Sequence, residues 1–227
     1  MSRSSSSEGP VPGSLVDESQ LRSLPVTARG QRTRESLVTA ARRVFERDGF
    51  INSRLTDIAR EAHTSIGTFY TYFDSKDEIF TAVLQVAQDD MLHPGLPRVE
   101  EDPQNIAAVL EASNRAYFEA YRRNAELMVL LEQVATINPD FRALRVKRSK
   151  IFTDRVSRWV ASAQDSGLAD PTLDPVMTAR ALASMVSRLA YYAFALGEEY
   201  DVDAMVETST KLWFNALGMT LPRPASV

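Results

Sequence analysis

The run from Leu55 to Phe80, LTDIAREAHTSIGTFYTYFDSKDEIF, constrains this chain more than any other stretch. It spells a short helix, a tight turn, a second short helix and a capped third. Helix 2 is expected to open at Thr56 and helix 3 at Ser65, each hydroxyl able to accept from free amides of the first turn. Ala59 leaves room for a crossing helix, His63 stands where the chain must turn, and Phe69 can plug the angle between the two. Ser75-Lys76-Asp77-Glu78 forms a capping box for a fourth helix, with Ile79, Phe80, Val83, Leu84 and Ala87 behind it. Two short helices joined this tightly are the build of a helix-turn-helix, which lays its second helix in the major groove of DNA.

The rest of the chain is periodic at helical spacing. Leu37, Val38, Ala41, Val44 and Phe45 share one face of a first helix spanning about 31–48, and Gly49 supplies a left-handed stop. Asp102-Pro103, Asn138-Pro139 and Asp174-Pro175 each pair a good N-cap with proline at the first helical position. Long apolar-periodic segments lie between them, at about 103–122, 124–136, 139–166 and 175–196, and a last one covers 202–217. No segment alternates as a strand does. The expected fold is all-α with about nine helices: a three-helix, homeodomain-like head and a larger helical body. The expected units are a Ser/Gly/Pro-rich disordered tail over 1–28, the head over 29–76, the body over 77–221 and a short tail over 222–227.

Composition narrows the chemistry. The chain has no cysteine, so thiolate metal sites, thiol nucleophiles and disulfides are out of reach. His63 and His93 share no metal-ligand spacing, and no phosphate-binding glycine loop or paired carboxylate motif is present, so neither an enzyme nor a bound cofactor is expected. The opening MSRSSSSEGPVPGS lacks an apolar leader core, and Arg180 and Arg188 break the most apolar stretch, so a cytoplasmic protein without a membrane partner is expected. Net charge is −4, yet residues 29–76 hold nine Lys/Arg against six Asp/Glu. A basic head on an acidic body suits a protein that presents only its head to phosphate.

Helix 1, the LTDIAREAHTSIGTFYTYF unit and the SKDEIF box resemble the DNA-binding head of the TetR family of bacterial transcriptional regulators, over about residues 30–85. The most specific part is Ser65, Gly67, Thr68, Tyr70, Tyr72 and Phe73, followed by Ser75-Lys76. Two departures stand out. His63 replaces the turn glycine usual in that family, which places a non-glycine residue in the left-handed region. Ile66 replaces a polar or basic residue, and either touches a thymine methyl in the groove or packs under the head.

Thr68, with Thr64, Ser65 and Ile66 beside it, is the candidate for reading base edges, and Gly67 lets the backbone approach the duplex. The resemblance implies phosphate contacts from the Tyr70 and Tyr72 hydroxyls, with core packing as the alternative; Phe69 and Phe73 are the expected core pair. Thr56 and Lys76, at helix starts, are further phosphate candidates. Arg29, Arg32 and Arg34 add attraction from the start of helix 1.

For the body, the resemblance implies a small-molecule pocket among the middle helices. The candidate lining is Phe118, Tyr121, Met128, Glu132, Phe152, Trp159, Met185, Arg188 and Tyr192. The basic run 145–150, RVKRSK, reads as a solvated helix face. Leu182, Leu189, Val206 and Trp213 on the last two helices are candidates for an isologous four-helix dimer contact. The expectation is therefore a homodimeric repressor that binds a palindromic double-stranded DNA operator and is released by a small apolar effector. An activator, or a regulator without a ligand, has the same head chemistry.

Overall fold

The structure, a computed structural model, describes residue 25 and residues 27–92 and 106–220. The expected disorder of the N-terminal tail, the Asp102-Pro103 cap, His93 and the tail at 222–227 lie outside those residues, apart from the last few positions of the N-terminal segment. Among the described residues the secondary structure is helical throughout: α1 Ala28–Asn52, α2 Leu55–Glu61, α3 Ile66–Tyr72, α4 Lys76–Leu92, α5 Ile106–Arg123, α6 Ala125–Ile137, α7 Pro139–Asp165, α8 Pro175–Phe194 and α9 Val202–Ala216. None of these helices is long and apolar enough to cross a membrane.

Local chemistry sets the boundaries. Thr27 accepts from the Gly30 amide at 3.1 Å, so α1 begins three residues before the expected start. Gly49, at φ 75°, breaks its last turns as its sequence position implied. The start of α2 differs from expectation. Arg54 occupies the N-cap without a side-chain bond, and Thr56 already lies inside the helix, so its hydroxyl caps nothing. Ser65 does cap α3, accepting from the Thr68 amide at 3.0 Å. The box before α4 closes as Ser75 accepts from the Glu78 amide, but the Glu78 carboxylate reaches back to the amide of Asp74. Asn138 and Asp174 cap α7 and α8 ahead of Pro139 and Pro175, as their pairing with proline indicated.

One continuous apolar core runs from head to body. Four phenylalanines make its seam. Phe80 on α4 lies 5.0 Å from Phe45 and 4.8 Å from Phe50, both on α1, and 5.2 Å from Phe141 at the start of α7, centroid to centroid. The head therefore does not hang from a linker.

A polar bolt lies beside this seam. Arg42 on α1 donates to Asn124 Oδ1 at 3.0 Å and to the carbonyl of Arg123 at 2.7 Å, at the junction of α5 and α6. Asn124 donates in turn to Asp90 on α4 at 2.8 Å, and Arg123 grips the same carboxylate through two nitrogens. The Arg123 hydrogen bond, helped by Asn124, holds the Asp90 carboxyl below the usual carboxylate range. A depressed folded value gives stability that is present above the unfolded value of about 3.9 and lost as pH falls through the folded one. Asp90→Ala should therefore lower the urea midpoint at pH 7, and the gap from wild type should narrow as unfolding is repeated below about pH 4.

Candidate nucleic-acid interface and body cavity

The turn between α2 and α3 is held by a hydrogen bond from the Thr64 amide to the Ala59 carbonyl at 2.9 Å. His63 within it adopts φ 53°, alone among the described non-glycine residues in having a positive value. Histidine thus takes the left-handed position without a glycine, as its place in the sequence required. Behind the turn, Phe69 and Phe73 are fully buried and Ile58 packs with them in the core.

What remains of α3 points outward. Ile66, Gly67 and Tyr70 are exposed, and Thr68 is half-buried with its hydroxyl 3.0 Å from that of Ser65. Ile66 does not pack under the head: it is exposed, in keeping with a groove-facing role. Tyr70 stands 49% exposed, edge-on to Phe69. Tyr72 is half-buried, with its hydroxyl beside Gly30 at the start of α1. Thr56 and Thr64 border this surface, exposed and half-buried respectively, and Arg29 and Arg32 are exposed at the start of α1. Arg34 is different, since its guanidinium lies over the Phe73 ring at 5.1 Å.

Gly67 carries the clearest signal. A Cβ built on it would meet nothing closer than the Ser65 hydroxyl at 3.7 Å. The protein's own packing does not require glycine here, although glycine costs a helix about 0.8–1.0 kcal/mol relative to alanine.

Lys76 overturns its expected role. Its ammonium donates to the carbonyls of Phe50, Ile51 and Ser53 at 2.7, 3.1 and 3.1 Å and lies over the Phe50 ring. All three of its donors are engaged. It seals the end of α1 and is not available to a phosphate. Arg54 was missed by the sequence reading. It is exposed just ahead of α2, and charge type at a helix start was the available signal.

In the body, a cavity of about 450 Å³ opens among α4–α8. Of the residues named as candidate lining, Tyr121, Met128, Glu132, Phe152 and Arg188 border it. Four other expected lining residues do not. Phe118 is fully buried in the core, Trp159 stacks against Trp213, Met185 is half-buried away from the cavity, and Tyr192 faces solvent. The reading of 145–150 as a solvated face also fails for one residue: Arg148 turns into the cavity, where its terminal nitrogens touch the Met128 and Met91 sulfurs. A helix of period 3.6 necessarily points part of such a run inward.

The dimer candidates need a similar correction. Leu182, Val206 and Trp213 are buried within this one chain, and Leu189 is half-buried. Periodicity marked the apolar stripe of α8 and α9, but the protomer's own core consumes it. Val176, Met177, Tyr192, Leu196, Tyr200 and Leu212 are the large apolar side chains left exposed on these two helices and just beyond α8.

Residues 37–83, from the middle of α1 through the first turns of α4, match the family described as "Bacterial regulatory proteins, tetR family". The chain therefore carries a DNA-binding head similar to that of the TetR family over those residues. It is 27% identical over 188 residues to the HTH-type transcriptional regulator YfiR of Bacillus subtilis, across 80% of this chain and 89% of that one. It is also 27% identical over 158 residues to the regulator UidR of Escherichia coli K12, across 68% and 78%. Among solved structures, SmeT, the repressor of the Stenotrophomonas maltophilia multidrug efflux pump SmeDEF, superposes with a TM-score of 0.65. That likeness is at 21% identity and covers 85% of this chain and 97% of that one. A transcriptional regulator from Rhodococcus sp. gives 0.66 at 22% identity, over 83% and 99%.

The chain is thus a DNA-binding transcriptional regulator, with α3 in the place of the recognition helix. Gly67→Ala should raise the melting temperature slightly and still weaken DNA binding, because the added methyl blocks the duplex and not the protein. Lys76→Met should instead destabilise the fold by about 1–3 kcal/mol in urea unfolding, with the salt slope of DNA binding unchanged.

Proposed function

We propose that the protein is a homodimeric repressor whose two heads occupy successive major grooves of a palindromic operator and let go when a small molecule enters the body. The observation that carries this reading is the outward α3 surface of Ser65, Ile66, Gly67, Thr68 and Tyr70, set on a fully apolar base. In the proposed complex, Thr68, Ser65, Thr64 and Ile66 meet base edges, Tyr70 and Tyr72 meet phosphate oxygens, and Thr56, Arg29, Arg32 and Arg54 add attraction to the backbone. Arg34 contributes charge from its seat on Phe73.

A single head offers few base contacts, so tight binding calls for two. The exposed Met177, Tyr192, Leu196 and Leu212 supply the apolar surface for pairing about a two-fold axis. The cytoplasm, where operator DNA lies, is the corresponding location.

α4 is suited to carry the signal. It begins in the head, where Lys76 caps α1, and ends at Asp90 and Met91. Asp90 belongs to the bolt that reaches Arg42 on α1, and Met91 touches Arg148 in the cavity. A ligand that displaces the Arg148–Met91 contact changes the setting of the helix on which that protomer's head depends. It can shift the balance only by its differential affinity for the two settings, commonly about 1–3 kcal/mol.

The test starts from a duplex selected out of a random pool by the purified protein. Thr68→Ala should weaken binding to that duplex more than binding to unrelated DNA, whereas Arg32→Ala should weaken both and lower the salt slope by about one. Equal behaviour of the two variants in titrations at two salt concentrations would refute this division of roles. Leu212→Glu should shift sedimentation toward a monomer and abolish binding to the full palindrome. A variant that stays dimeric would remove that face from the interface.

A further inference from the structure

Among the described residues, the body cavity is lined by more positive than negative charge. Arg145, Arg148, Arg180 and Arg188 line it against one carboxylate among the described residues, Glu132. That carboxylate is already bound to Arg145 Nε at 2.7 Å, near the mouth. Arg180 donates to the Ser149 hydroxyl, and Arg188 lies over the rings of Tyr191 and Tyr192.

Arg148 sits deepest of the four in character. Its terminal nitrogens meet the thioethers of Met128 and Met91, which are weak acceptors for a guanidinium. Tyr117 and Tyr121 are near enough to act on it electrostatically. Burial pushes both phenols up, so they stay protonated at neutral pH and cancel none of its charge. Burial likewise disfavours the Arg148 cation, which remains charged because guanidinium deprotonates only at extreme pH. Among the described residues no carboxylate forms an ion pair with it; Glu132, held by Arg145, acts on it only through space.

We propose that the cavity is a site for organic carboxylates, with the anionic head held by the Arg148 guanidinium and the apolar body lying against Tyr117, Tyr121 and Phe152. Guanidinium presents two parallel N–H groups that match a carboxylate, and in a partly desolvated site such a pair outweighs its neutral isostere. An uncharged apolar effector, the expectation from sequence, leaves that cation facing sulfur. This inference rests on the reading of the body as an effector domain and names the class of effector.

Calorimetric titration of the full chain with 2-naphthoate and 2-naphthamide, and with dodecanoate and dodecanamide, tests it; the two pairs distinguish a flat aryl body from a flexible alkyl one. At least one carboxylate should bind about tenfold or more tightly than its isosteric amide. Arg148→Met should erase that preference, and Arg148→Lys should keep part of it, with melting curves confirming that both variants fold. Equal binding of acid and amide, a preference that survives in Arg148→Met, or no binding of either acid would overturn the proposal. Release of the selected duplex, followed by fluorescence anisotropy, is read separately. An acid that binds through Arg148 yet leaves DNA affinity unchanged upholds the carboxylate site and refutes its role as effector site. An amide that binds and releases DNA at the same concentrations as the acid refutes the carboxylate site and upholds the effector role.

Discussion

The packing of Phe80 between Phe45, Phe50 and Phe141 is the contact on which the rest of this structure depends. It fixes α1, the start of α4 and the start of α7 to one another, and it makes the head and body a single core. Lys76 adds direction to the same seam. Its three carbonyl partners occupy the end of α1, where the helix dipole favours a cation, so α4 cannot slide without unmaking them. A residue placed by sequence at the DNA surface thus serves to set where that surface stands.

Most of the fold was legible because its signals are local. N-cap chemistry at Ser65, Asn138 and Asp174, glycine at position 49 and the 3.6-residue spacing of the apolar residues each act within a few residues, and the structure follows them. The miss at Thr56 is also local. Backbone geometry placed the cap at Arg54, which offers no capping oxygen, so a good capping residue two positions later was left inside the helix. The head surface was readable for the same reason, since the apolar pair Phe69 and Phe73, four residues apart on α3 and its C-cap, marks the buried face and leaves the residues between them exposed or half-buried.

The body was less legible because one stripe of apolar residues has two possible consumers. Leu182, Val206 and Trp213 have the spacing of an interface, and the same spacing serves a core; only three-dimensional packing of α9 against α5 decides between them. The cavity shows the same limit. Phe118 and Tyr121 lie three residues apart on α5, yet one is sealed in the core and the other faces the cavity. A helical period identifies a face, whereas a cavity is defined by what several faces leave unfilled.

Arg148 illustrates why such exceptions carry functional information. A partly buried guanidinium with no ion pair among the described residues costs several kcal/mol relative to water even after relaxation, so methionine at this position should make the fold more stable. Its neighbours Met91 and Met128 already supply that chemistry. Proteins retain such a cost where an opposite charge arrives only some of the time, because a site that is already neutralised has nothing to gain from a ligand. The contact of Arg148 with Met91 then matters twice. It places the unsatisfied charge against α4, one residue from Asp90 in the bolt to α1, so a ligand that reorganises the guanidinium acts on the one helix shared by head and body. Coupling of this kind needs no long relay of side chains, only a charge whose partner is missing and a helix that rests against it.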